Sequence, residues 1–100
     1  MNDRVLALLQ FYDQTLAARG IPPLNLSDSL CPIGDQRLAH VRWMIGQMFA
    51  PTEPRLAEKF QKERTVNRWL GFIQGVLYCS NLFTIKEMRD QSRDLYGGER

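Results

Sequence analysis

His40, Cys31 and Cys79 are the side chains best suited to nucleophilic, general-base or thiolate chemistry, and their spacing serves none of these roles. A zinc site draws on four closely spaced Cys or His ligands, whereas this chain has one histidine and two distant cysteines with no CxxC pair. A serine or cysteine nucleophile would have to be oriented by His40, and neither a G-x-S-x-G elbow nor a strand-to-helix turn is present. Gly71 and Gly75 lie inside the apolar run Arg68-Trp69-Leu70-Gly71-Phe72-Ile73-Gln74-Gly75-Val76-Leu77. They do not follow a strand, as a phosphate loop or a dinucleotide fingerprint does. The carboxylate pairs Asp3 with Asp13 and Glu53 with Glu58 read as solvated helix faces. The expectation is a non-enzyme with no catalytic residue, no metal and no cofactor.

The elements that carry these residues are read from hydrophobic period. Val5, Leu8, Leu9, Tyr12 and Leu16 recur at helical spacing and predict a first helix over 3–19, capped by Asp3 and stopped by Gly20. Pro22, Pro23, Asn25, Ser27, Asp28, Ser29, Pro32 and Gly34 make the next stretch a long connector, anchored by Leu24, Leu26 and Leu30. A second helix over 35–49 has Leu38, Val41, Ile45, Met48 and Phe49 as its core stripe, and Pro51 ends it. A third helix is predicted to start at Thr52-Glu53-Pro54, with Thr52 as cap, and to run to Ser80. Its core stripe is Val66, Trp69, Leu70, Ile73, Val76 and Leu77. The polar stretch 61–65 leaves open a break into two helices. Thr84 with Glu87 forms a capping box, with Phe83 and Met88 as its staple, and starts a last short helix to Leu95. No strand alternation and no repeat occurs. The fold class is all-α, a compact bundle of three to four helices in a single domain over 1–100, with 97–100 a frayed tail.

The balance of 13 basic and 11 acidic residues gives a net charge of +2, too mild to demand a nucleic-acid partner and too basic for a nucleic-acid mimic. No apolar stretch is long enough to cross a bilayer, so no membrane role is expected and the chain is read as cytoplasmic. In that compartment Cys31 and Cys79 are expected to be reduced, buried packing thiols, a lone disulfide being the alternative.

Recognition features stand out more than catalytic ones. His40, Trp43 and Gln47 share one side of the second helix, away from its core stripe, and predict a partner-facing surface centred on a tryptophan. The alternative is a central helix with both sides buried, in which His40 is a satisfied hydrogen-bonding group. Gly71 and Gly75, with Phe72, predict a close helix crossing, either within the bundle or in a homodimer. Lys59, Lys62, Arg64 and Arg68 form a basic segment interrupted by Glu58 and Glu63. It reads as a surface laced with pairs such as Lys59 with Glu63, or as a nucleic-acid contact.

The segments His40-Val41-Arg42-Trp43-Met44, 67–77 (Asn67 to Leu77) and 83–90 (Phe83 to Asp90) resemble a group of short accessory proteins of tailed bacteriophages. The similarity spans roughly the last 60 residues. It implies a small early factor that acts in the host cytoplasm in host takeover or in blocking a defence system. With the residue reading it leads to one expectation: Trp43, His40, Gln47, Arg64 and Arg68 dock on a host protein or complex and inhibit it by occlusion. The alternatives are a nucleic-acid-associated regulator using 59–68, and a small-nucleotide sponge at a dimer interface.

Overall fold

The computed structural model describes residues 1–28 and 33–93, among which helices form and strands do not. The elements are α1 (Asp3–Ala18), α2 (Asp35–Phe49), α3 (Pro54–Lys59), α4 (Glu63–Cys79) and α5 (Ile85–Arg93). The all-α class therefore holds. Leu30 and Cys31 of the connector, and the Leu95 terminus and frayed tail expected at the end, lie outside the described residues.

The start of α1 differs from expectation by one residue. Asn2, not Asp3, is the cap: its Oδ1 accepts the Val5 N–H at 2.9 Å, which leaves Asp3 in the first turn, where its charge meets the positive helix end. The exit follows the Schellman pattern, with Gly20 at φ +75°. The Gly20 N–H donates to the Ala17 carbonyl at 3.0 Å and the Ile21 N–H to that of Leu16 at 3.2 Å. Leu16 and Ile21 are both buried, so the turn also directs the connector back onto the core.

Helix α2 has its predicted bounds and buries more than one stripe. Leu38, Val41, Ile45 and Met48 are buried as expected, and Ala39, Met44 and Gln47 widen the covered arc because α1 and α4 both pack against this helix. Phe49 departs from expectation. It is the last helical residue, the chain turns away at Ala50, and the ring stays 44% exposed.

The predicted third helix is two helices, broken at 60–62. At 100° per residue, extending α4 backwards would place Phe60 roughly 110° from the stripe of Val66, Leu70, Ile73 and Leu77. Burying that ring requires the chain to bend. Phe60 is buried, edge-on to Trp69 with ring centroids 4.8 Å apart. Thr52 does not cap α3. The cap position belongs to Glu53, and Thr52 turns back to α2 instead.

Helix α4 ends in a second Schellman turn, with Asn81 at φ +63° and the Leu82 N–H donating to the Leu77 carbonyl at 3.1 Å. The capping box of α5 forms in both directions, Thr84 N–H to Glu87 Oε1 at 2.9 Å and Glu87 N–H to Thr84 Oγ1 at 3.1 Å. Phe83 and Met88 rest against the main core. The core itself is centred on Leu9, Tyr12, Leu16, Val41, Ile45, Leu70, Ile73 and Leu77, all essentially inaccessible to solvent.

Candidate interaction surfaces

Positions 40 and 43 of α2 are one turn apart, and their rings stack with centroids 5.4 Å apart and planes 23° from parallel. Both are half-buried, and Trp43 packs on the margin of the core. His40 is held from the connector side, where its Nδ1 accepts the Leu26 N–H at 3.1 Å. One residue back along α2, the Ala39 carbonyl accepts the Leu24 N–H at 3.1 Å. The connector is thus pinned along α2 by two backbone donors. Burial holds the imidazole pKa below its ordinary value, and a hydrogen bond to the Leu24 backbone acts the other way. An accepting Nδ1 and a lowered pKa agree on a neutral ring near pH 7.

Gln47 does not join this surface. It is only 6% exposed, and its Oε1 accepts both the Thr52 N–H at 2.9 Å and the Thr52 hydroxyl at 3.0 Å. A buried amide engaged in closing the α2–α3 turn cannot meet a partner, so the three-residue surface contracts to His40 and Trp43.

Arg64 and Arg68 lie one turn apart on the outward side of α4 and are exposed, as are Lys59 and Lys62. The expected Lys59–Glu63 pair is not formed, because the break puts its two ends on different helices and removes the i, i+4 geometry. Arg42 ties α1, α2 and the connector together: its Nε meets Asp13 Oδ1 at 2.9 Å and its Nη1 donates to the Ile21 carbonyl at 2.8 Å.

Gly71 and Gly75 are exposed, and a Cβ added at either would have no atom within 4 Å. Among the described residues no close helix crossing is therefore made at either glycine: both lie off the buried stripe of α4, and Gly75 borders α2 only across an open depression. Phe72 beside them is 55% exposed. An apolar depression of about 370 Å³ lies between Arg37, Phe72, Gly75, Val76, Cys79 and Ser80. Cys79, expected to be buried, is an exposed free thiol; Cys31 lies outside the described residues.

A polar cluster that sequence reasoning missed joins three helices. The fully buried Tyr12 donates its hydroxyl to Gln91 Oε1 at 2.6 Å and accepts from Gln74 Nε2 at 3.1 Å, while the same Gln74 amide donates to Ser92 Oγ at 2.9 Å. Burial raises the phenol pKa and the Gln74 hydrogen bond acts against it. The available signal was Gln74, an amide at the edge of an otherwise apolar stripe.

Among the described residues no group of three or more His, Cys, Asp or Glu side chains converges as a metal site would, and no helix is long and apolar enough to cross a membrane. No protein-family model, curated protein or solved structure matches the chain.

Proposed function

We propose that this chain is a non-enzymatic accessory protein of the tailed-phage type, a small helical bundle that binds a host protein or complex in the host cytoplasm and inhibits it by covering its surface. The observation that carries the reading is the His40–Trp43 stack. A half-exposed tryptophan lies flat against an imidazole that the connector holds in place, so the anchor is ordered before any partner arrives and loses little freedom on binding. The test is capture of a specific host protein by the intact chain, with mass-spectrometric identification, repeated with Trp43→Ala. Lost capture with unchanged helical circular dichroism supports the reading. Retained capture, or a variant that unfolds, returns Trp43 to a purely structural role.

The nucleic-acid reading keeps one specific support: Lys59, Lys62, Arg64 and Arg68 are all exposed. On that reading, affinity for DNA or RNA falls steeply with salt, and Arg64→Glu with Arg68→Glu weakens it at every sequence tested. A chain that gives no gel shift at low salt ends it.

A further inference from the structure

The outward side of α4 carries residue types that conflict with exposure to water. Phe72 is 55% exposed, Tyr78 44% and the adjoining Ile85 48%, around the open gap at Gly71 and Gly75. The depression beside Phe72 is mostly apolar and adjoins, at Cys79, a second groove of about 580 Å³ with a mixed lining that includes Tyr78, Ile85 and Glu87. Scattered apolar side chains on a surface need no explanation, but a run along one helix with a gap beside a projecting ring marks an interaction surface.

We infer that this face is a two-fold interface with a second copy of this chain. Two features of one and the same surface select that occupant. The first is shape: α4 carries a projecting ring at Phe72 and, three residues on, a position with no side chain at Gly75. An antiparallel crossing with its axis between Ile73 and Gln74 sets Phe72 of each copy opposite Gly75 of the other, so one register fills both gaps at once, as an isologous contact requires. The second is charge. The same register lays Arg68 of one copy over the C-terminal turn of the other's α4, next to Glu87, and brings Arg64 to the same end. Cations there meet the Glu87 carboxylate and the negative helix end on one flank of that turn, with Arg37 of the other copy, a like charge, on the other flank. Helix α4 has 17 residues and is about 25 Å long, a short contact for a dimer, so the association is concentration-dependent and not permanent. The inference uses a surface apart from the His40–Trp43 stack and stands or falls independently of the host-partner reading.

Sedimentation equilibrium of the full chain from about 1 µM to several hundred µM reads the assembly directly. The expected result is a shift from the monomer to twice its mass. Gly75→Leu is expected to weaken that shift roughly tenfold or more, since the added side chain occupies the space of the partner's ring. The monomer offers that side chain open space, so its thermal stability is expected to be unchanged or higher. Phe72→Ala and Arg68→Glu are expected to weaken association too, the latter less at high salt, and Trp43→Ala to leave it intact. The register keeps the two Cys79 thiols roughly 16 Å apart along the helices, so oxidation yields no disulfide-linked dimer. A chain that remains monomeric overturns the inference and leaves the face to a foreign partner. A dimer indifferent to Gly75→Leu and Phe72→Ala, or one readily locked through Cys79, also overturns it.

Discussion

Tyr12→Phe removes a single oxygen from the centre of the molecule, and its consequence is expected on α5. The hydroxyl donates to Gln91 at 2.6 Å and accepts from Gln74 at 3.1 Å, and the tyrosine is fully buried. Each such hydrogen bond stabilises by about 0.5–1.5 kcal/mol net. Gln74 keeps its bond to Ser92, and Gln91 is only half-buried and able to turn to water, so the loss falls near the lower end of the sum, about 1.5 kcal/mol. That loss has a location. No residue of α5 is fully buried, and the helix is held by Met88, by Phe83 at its entrance, whose ring centroid lies 5.7 Å from that of Tyr12, and by the Gln91 and Ser92 hydrogen bonds. Native-state amide exchange is the assay, because it separates local opening from global unfolding. The amides of 88–93 are expected to exchange roughly tenfold faster in Tyr12→Phe, while those of α2 change only as far as the global stability does. Gln91→Ala should mimic the effect, and the double variant should fall short of the sum of the two by about 1 kcal/mol. Unchanged exchange on α5, or fully additive losses, would refute the view that this hydroxyl fastens the last helix.

Other perturbations follow from single contacts. The folded-state pKa of His40 is lowered, so the unfolded chain binds more protons in the window below about pH 6.5 and stability falls as pH drops through it; His40→Asn, whose Oδ1 can still accept the Leu26 N–H, should lose that part of the slope in denaturant titrations at several pH values. Arg42→Met removes the Asp13 pair and leaves the Ile21 carbonyl without its donor, an expected cost of about 1–2 kcal/mol by urea denaturation, with little relief in high salt if the carbonyl contact dominates. At Asn81, φ +63° predicts that Asn81→Ala costs about 1 kcal/mol while Asn81→Gly is neutral or stabilising, read as opposite shifts in Tm. Gly71→Ala combined with Gly75→Ala should stabilise the monomer by about 1–2 kcal/mol, since neither added methyl meets a neighbour; a loss of stability at concentrations where the chain is monomeric would mean that another part of the chain covers that face.

Periodicity made the helices legible because each buried stripe is a local record of a tertiary fact: Val5 to Leu16 in α1 and Leu38 to Met48 in α2 point inward as their spacing requires. The capping box at Thr84 and the stop at Gly20 were legible for the same reason, since both satisfy backbone groups within a few residues of themselves. What escaped depends on contacts between elements that the spacing within one helix does not record. Gln47 looked like a surface residue because a glutamine beside a tryptophan has no local signature of burial; its partner, Thr52, looked like a cap for the next helix. The break before α4 goes with Phe60 reaching Trp69, a demand of packing that outweighs helix continuation through Gln61 and Lys62. Cys79 shares the side of α4 that carries Gly71 and Gly75, and its burial was expected from a second covered face that the described residues do not supply.

The glycines invert the usual logic of such a pair. A glycine inside a helix costs up to about 1 kcal/mol relative to alanine, and the familiar compensation is a neighbouring helix that comes closer than a Cβ would allow. Here the helices packed against α4, α2 and α5, meet its buried stripe, and at the glycines nothing comes within reach of an added Cβ. The isolated monomer therefore bears the whole cost with no compensating contact. It bears it beside an exposed phenylalanine, which adds a second unfavourable feature to the same turn of the same helix. Under the two-fold pairing we infer, the Phe72 ring of each copy would cover Gly75 of the other, so one contact would offset both departures.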